Sequence, residues 1–216
     1  MTELFILKDV LFEICEYLDL KDILSMSSLN KNYRNVIKTH HFKYPIIKLK
    51  NTNDINEKIK YLTSNFNFNR YHLFRCDKIT DESVKLLKNC HTLYLSMCDK
   101  ITDESVKLLG NCHALNLYNC KITDESVKFL GNCHTLNLSY CDITDESVKL
   151  LGNCHSLNLS GCKKITDKSV KLLGNCHTLN LSRCINITND SVKLLGNCHS
   201  LNLSFCIQIT DDRRVA

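Results

Sequence analysis

The chain of 216 residues has no tryptophan, a single proline and no dominant sign of charge. Lys and Arg number 28 against 23 Asp and Glu, and the resulting excess of +5 is spread along the sequence. That balance gives no strongly basic face, so nucleic acid is not the partner the composition points to. Long apolar runs are missing as well. A membrane-spanning helix needs about eighteen or more apolar residues in a row, and no segment approaches that. The opening stretch MTELFILKDVLFEI carries an acid at Glu3 and a short apolar run, without the basic start or cleavage site of a secretory signal. The expectation is a protein without membrane or secretory attachment, working in the cytoplasm or nucleus.

Cysteine, by contrast, is abundant, with fourteen residues. In a secreted chain that number would suggest a disulfide framework. Here the positions are periodic: Cys76, Cys98, Cys120, Cys141, Cys162, Cys184 and Cys206 recur at intervals of 22 or 21, and so do Cys90, Cys112, Cys133, Cys154, Cys176 and Cys198. Only Cys15 stands apart. Cysteine is therefore a repeat position, expected to act as a small buried hydrophobe with a weak S–H donor in a reducing compartment.

One period reads CHTLYLSMCDKITDESVKLLGN, from Cys90 to Asn111. The alternation at Leu93 and Leu95 has the period of a short strand with one buried face. The following TDESVKLLGN reads as a helix of about two turns, with Thr102 or Asp103 as its cap and Gly110 as a left-handed stop. Val106 and Leu109, with Leu108 alongside, are expected to cover the strand layer. One such unit has too little apolar surface to stand alone, so the copies should stack into a curved α/β solenoid. Parallel strands would line the inside and short helices the outside. The pattern C-x-x-L-x-L-x-x-C-x-x-ITD, over residues 71–212, resembles the cysteine-containing subclass of leucine-rich repeats, with a period nearer 22 than 26. Residues 71–216 are read as the repeats and residues 44–70 as a divergent N-terminal cap of strand then helix. Asp211, Asp212, Arg213 and Arg214 offer charges that would shield the last coil.

The repeated Asn-Cys-His invites a nucleophile–base reading, but neighbouring residues on a strand point to opposite faces, so thiol and imidazole cannot meet. Zinc needs four ligands converging at about 2.0–2.3 Å, which a line of equivalent sulfurs about 4.7–4.9 Å apart does not offer. No catalytic residue, metal or cofactor is expected. His91, His113, His134, His155, His177 and His199 should form a surface column. Asn116, Asn137, Asn158, Asn180 and Asn202 should form an amide ladder on the concave face, and the Lys107 column a solvated outer face. One column varies freely: Arg75, Met97, Asn119, Tyr140, Gly161, Arg183 and Phe205, each just before the second cysteine. It is read as the end of the strand at the rim of the concave face. Arg75, Tyr94, Met97, Asn119, Tyr140, Arg183 and Phe205 are the candidate residues for a protein partner, since aromatic and arginine side chains dominate such interfaces.

Residues 1–43 have no repeat. Leu11, Ile14 and Leu18 recur at helical spacing, and Asp19 or Asp22 can cap a second helix over ILSMSSLNKNYRNVI. The stretch DVLFEICEYLDLKDILSMSSLNKNYRNVI resembles an F-box, matching at Leu11, Ile14, Tyr17, Leu18, Asp19, Asp22, Ile23, Lys31, Arg34 and Ile37. Ile6-Leu7 stands where the family usually has Leu-Pro, and Tyr33 where it has Trp. The resemblance implies a non-enzymatic substrate receptor of a cullin–RING ubiquitin ligase. Leu7, Leu11, Ile14, Leu18, Ile23, Leu24 and Tyr33 would dock a Skp1-type adaptor, and the repeats would hold an unidentified protein substrate. The alternative is a structural or decoy repeat protein that recruits no ligase. A composition heavy in Lys, Asn and Ile with one proline is that expected of an AT-rich genome, such as a parasite's or a large DNA virus's.

Overall fold

The computed structural model describes residues 2–210, with side chains from Lys8 onward. Three helices come first: α1 (Thr2–Tyr17), α2 (Leu20–Leu29) and α3 (Lys31–Thr39). Asp19 caps α2, its Oδ1 accepting from the Asp22 N–H at 2.9 Å. The segment expected as one helix after it is two. Asn30 is extended, and its Oδ1 accepts from the Tyr33 N–H at 2.9 Å, so a second cap starts α3. Asn is among the best N-cap residues, and it ends α2 by restarting the chain.

Strand β1 (His41–Phe42) leads to β2 (Ile47–Lys48), α4 (Ile55–Asn65), β3 (Asn67–Phe68) and β4 (Arg70–His72). From there strand and helix alternate: α5 (Asp81–Lys85), β5 (Thr92–Tyr94), α6 (Asp103–Val106), β6 (Ala114–Asn116), α7 (Asp124–Val127), β7 (Thr135–Asn137), α8 (Asp145–Val148), β8 (Ser156–Asn158), α9 (Asp167–Val170), β9 (Thr178–Asn180), α10 (Asn189–Val192) and β10 (Ser200–Asn202). β2, β4 and β5 to β10 form one parallel eight-stranded sheet in chain order, while β1 and β3 pair separately. Register is that of the repeat, Leu93 opposite Leu115 and Leu115 opposite Leu136. The α/β leucine-rich-repeat solenoid behind a small helical module is therefore the fold.

Each coil buries the same set. In the second full coil these are Leu115, Leu117, Cys120, Ile122, Val127 and Leu130, all at most 4% exposed. The helices are shorter than expected. Each of α6 to α10 is a single turn, continued by i→i+3 bonds such as Leu108 N–H to Ser105 and Leu109 N–H to Val106. A coil of 21 or 22 residues has no length for two turns of α-helix. The tighter path also turns Leu108 outward, to 41% exposure, instead of onto the core. Gly110 is no left-handed stop either, since Gly161 is the one glycine with positive φ among the described residues. A Cβ on Gly110 would come too close to the Phe129 carbonyl, and one on Gly152 would lie 2.8 Å from the Leu172 carbonyl. Glycine is there because the next coil's backbone lies against it.

A ladder of hydrogen bonds ties the helix starts together. Asp103 Oδ1 accepts from the Thr123 N–H at 2.9 Å and the Ser126 hydroxyl at 2.5 Å, and Oδ2 accepts from the Thr123 hydroxyl at 2.7 Å. Asp81, Asp124 and Asp145 make the same bonds to the coil that follows each. Asn56 in α4 opens the ladder, accepting from Thr80 and Ser83, and Asn189 closes it against Thr210. Thr102 supplies the N-cap, accepting from the Glu104 N–H, which frees Asp103 to reach across.

Candidate interaction sites: a rim of left-handed turns and a helical docking face

Every residue of the variable column has positive φ: Arg75 at 52°, Met97 at 58°, Asn119 at 52°, Tyr140 at 60°, Gly161 at 71°, Arg183 at 62° and Phe205 at 62°. The column is thus a left-handed turn beyond the strand, not the strand's last residue. The turn extends the inter-coil ladder: the Met97 N–H donates to the Tyr118 carbonyl at 2.8 Å, and the Tyr140 N–H to the Ser160 carbonyl at 2.8 Å. Glycine would be the default residue in that conformation, because a Cβ costs roughly 1–2 kcal/mol there. Six of the seven coils nevertheless carry a side chain.

Those side chains form one strip along the rim. The Arg75 guanidinium lies 5.3 Å over the Phe74 ring, and its Nε points at Met97 Sδ, 3.3 Å away. Tyr118 and Tyr140 meet edge to face at 5.7 Å. Tyr140 lies across Gly161, where a Cβ would stand 2.8 Å from the ring. Arg183 lies 5.2 Å over Phe205. Tyr140 is 41% and Phe205 72% exposed, Arg75, Asn119 and Arg183 are exposed, and Met97 is half-buried. Tyr94 lies apart from this strip, half-buried on the sheet face with its ring 5.5 Å from His72.

The neighbouring columns have structural duties. Each ladder asparagine closes a local turn: Asn137 Oδ1 accepts from the Ser139 N–H at 3.0 Å, and Asn158 Oδ1 from the Ser160 N–H at 3.0 Å. Asn116 Oδ1 also accepts across coils, from the Ser96 hydroxyl at 2.9 Å, so the column on the concave face is chiefly a row of local turns. The second cysteine of each coil donates its S–H to a leucine carbonyl of the preceding coil, as Cys120 to Leu95 and Cys141 to Leu117, both at 3.1 Å. All fourteen cysteines are free. Burial pushes Cys112 and Cys154 up to about 11 and Cys90 and Cys176 up to about 12, which holds them as thiols at neutral pH. The histidines stack ring on ring, 4.5–4.6 Å between centroids, from His91 to His199.

In the helical module the structure divides the residues expected to meet an adaptor. Leu11 at 6% and Ile23 at 0% exposure are core, so they hold the helices together and do not face a partner. Ile14 is 46% exposed, and Leu18, Leu24 and Tyr33 are half-buried. The Leu7 side chain lies outside the described residues, as do Asp211 to Arg214. Val10 and Tyr17 share the exposed face of α1 with Ile14, one helical turn apart, and Tyr44 stacks 6.3 Å from Tyr17. Helical spacing in the sequence points to Leu11, Ile14 and Leu18, and only exposure sets Ile14, with Val10 and Tyr17, apart from Leu11.

The module is clamped to the array. Glu16 accepts from His40 Nε2 at 2.6 Å and from the backbone N–H groups of Lys43 and Tyr44 at 2.9 and 2.7 Å. His40 in turn stacks on Phe12 at 4.3 Å and meets the Phe42 edge at 4.7 Å. Phe42 packs on Phe68 of β3, so the contact reaches the first coil. Burial acts to raise the Glu16 pKa, but the two backbone N–H groups and His40 together hold it below the usual carboxylate range.

Sequence models of known families match two parts of the chain: an F-box domain over residues 8–45, and the Leucine Rich repeat over residues 134–152 and 155–174. No curated protein matches by sequence. Solved structures match by fold. A chain of the TLR13–ssRNA13 complex superposes with a TM-score of 0.60 and 20% identity over 86% of this chain and 28% of that one. The internalin inlF of Listeria monocytogenes gives 0.52 and 20%, over 86% and 53%. A chain of the yeast Rad7–Elc1 complex gives 0.60 and 18%, over 84% and 54%. This chain spans about half the length of the internalin and yeast chains, and less of the first. At such identities the likeness is one of architecture.

Proposed function

From an F-box domain set ahead of leucine-rich repeats, the makeup of an F-box/leucine-rich-repeat protein, we propose a receptor that joins a protein substrate to a ubiquitin ligase. The helical module docks a Skp1-type adaptor and through it a cullin–RING core, and the repeat array holds the substrate. That the chain is a protein-binding adaptor follows from the two modules; the ligase is the finer step. The observation that carries it is the exposed apolar edge Val10, Ile14 and Tyr17, aligned on one face of α1. Exposed apolar groups aligned on one helix face mark a docking surface. The Phe42–Phe68 contact, reached from Glu16 through His40, would hold that edge in a fixed relation to the rim, as a receptor presenting its cargo requires.

The test is co-purification of the full chain with a purified Skp1-type adaptor. Ile14→Asp with Tyr17→Asp should weaken capture at least tenfold, because central apolar anchors carry about 2 kcal/mol or more. The same pair should leave the melting temperature within a few degrees, since both side chains are exposed. Leu11→Asp is the wrong test because it would break the core. Failure of the unaltered protein to capture adaptor at micromolar concentration overturns the ligase reading in favour of a decoy.

A further inference from the structure

The rim combines three observations that the general role of a repeat array does not require. First, the backbone of the column is left-handed in every coil, and Gly161 shows that the fold accepts glycine there. The other six coils keep side chains against that preference, including Tyr140, Arg183 and Phe205. Second, the N–H groups of the turn already donate to the next coil, as Arg75 to Ser96 and Gly161 to Ser182. The turn therefore offers a partner its side chains, not those backbone donors. Third, the two rim guanidiniums have no carboxylate partner among the described residues, whereas Lys85, Lys107, Lys128, Lys149 and Lys193 on the helix side are each neutralised by an acid three residues earlier. Arg75 and Arg183 are braced on Phe74 and Phe205 and left open to solvent.

Spacing turns this into a ligand. Five coil steps separate Arg75 from Arg183, about 24 Å at the usual distance between strands, which an extended chain covers in about seven residues. Between them lies an aromatic surface, where Tyr118 meets Tyr140 and Tyr140 lies over Gly161. We propose that the rim binds an extended polypeptide segment with two anionic side chains about seven residues apart and an apolar side chain between them. The anions meet Arg75 and Arg183 in the forked geometry that guanidinium offers to carboxylate and phosphate alike, and the apolar side chain rests at Tyr140. This deepens the reading of the array as the substrate-holding part and depends on it.

The experiment uses the full chain and dye-labelled synthetic peptides, followed by fluorescence anisotropy. One peptide carries two Glu seven residues apart around a central Leu pair, and a second carries phosphoserine at the same two places. A third carries Gln there, and a fourth brings the two Glu to three residues apart. Binding of the first or second at least tenfold tighter than the third and fourth is expected, and their order tells carboxylate from phosphorylated partners. Arg75→Gly, Tyr140→Gly and Arg183→Gly should each weaken that binding tenfold or more. Each should leave the melting temperature unchanged or about 2 °C higher, because glycine relieves the turn. Binding that ignores spacing, equal binding of a single-stranded oligonucleotide, or no binding at all overturns the proposal. So do glycine variants that melt lower, since the side chains would then serve the solenoid. Adaptor capture by the helical module is read separately, so failure on the rim leaves the ligase reading standing.

Discussion

Tyr71 occupies a strand position that the later coils give to leucine, and its hydroxyl is buried without a hydrogen-bond partner among the described residues. Burial pushes the phenol's pKa up, with the Cys90 thiol adding to it. A buried unpaired polar group costs about 1–3 kcal/mol. Tyr71→Phe keeps the ring and removes that cost, so the melting temperature should rise by about 2–4 °C; a fall would show that the hydroxyl is bonded after all. The same scale explains what sequence reading missed on the rim. Left-handed residues are usually betrayed by glycine or asparagine, and in this column only Asn119 and Gly161 obey. The variability of the column was legible, while its backbone was hidden by the very side chains that make it useful.

Among the elements, strands were readable and helices were misjudged in length. Leu93 and Leu95 alternate as a strand must, but Ser-Val-Lys-Leu-Leu suits two helical turns as well as it suits one turn and a 3₁₀ continuation. The glycines offer a controlled test. Gly152→Ala should destabilise by about 1–3 kcal/mol, the usual cost of forcing atoms into a packed site, because Leu172 blocks the new methyl. Among the described residues Gly196 has nothing within 4 Å of the same position, so Gly196→Ala should be within about 0.5 kcal/mol of neutral. Urea midpoints of the two variants decide it. The aspartates between coils give a second test. Burial acts to raise Asp103, Asp124 and Asp145, but the serine and threonine donors outweigh it and leave all three pKa values lowered. An unfolded aspartate titrates near 3.9. The ladder's contribution is thus present above about pH 4 and lost as pH falls through the lower folded values. Asp103→Asn with Asp124→Asn should flatten that acid limb in melting curves taken between about pH 2 and 5, with little change in its position near neutrality relative to other pH values.

The histidine stack belongs to the molecule as a whole, because it runs through six consecutive coils. Loss of solvation first, and then the flanking imidazoles, lower the pKa of His177; at the N-terminal end desolvation, His113 and Arg70 do so for His91. The unfolded chain, with histidines near 6.5, takes up protons before the folded one. Stability contributed by neutral stacking is therefore present above about pH 6.5 and lost as pH falls through the folded values. A His91→Gln/His177→Gln protein should lose much of this limb, and melting temperatures between about pH 5 and 8 would show it. Copying made the solenoid legible, since a 21- or 22-residue echo has few architectural solutions. The junction was not legible, because Glu16, Phe12 and His40 are single residues whose meeting depends on how α1 packs against the end of α3.

The coil-to-coil ladder has a further consequence, for length. Interior coils offer an acid to the coil that follows and a threonine and serine to the coil before, and amides stand at both ends in Asn56 and Asn189. Any interior coil can therefore be excised whole and its neighbours rejoined with identical chemistry. Without residues 123–143, Asp103 would meet Thr144 and Ser147 as Asp124 now does. A chain of this kind can therefore shorten or lengthen one coil at a time without breaking the ladder. Each exchange would move the two ends of the rim by about one strand spacing and deliver a folded protein with a new reach.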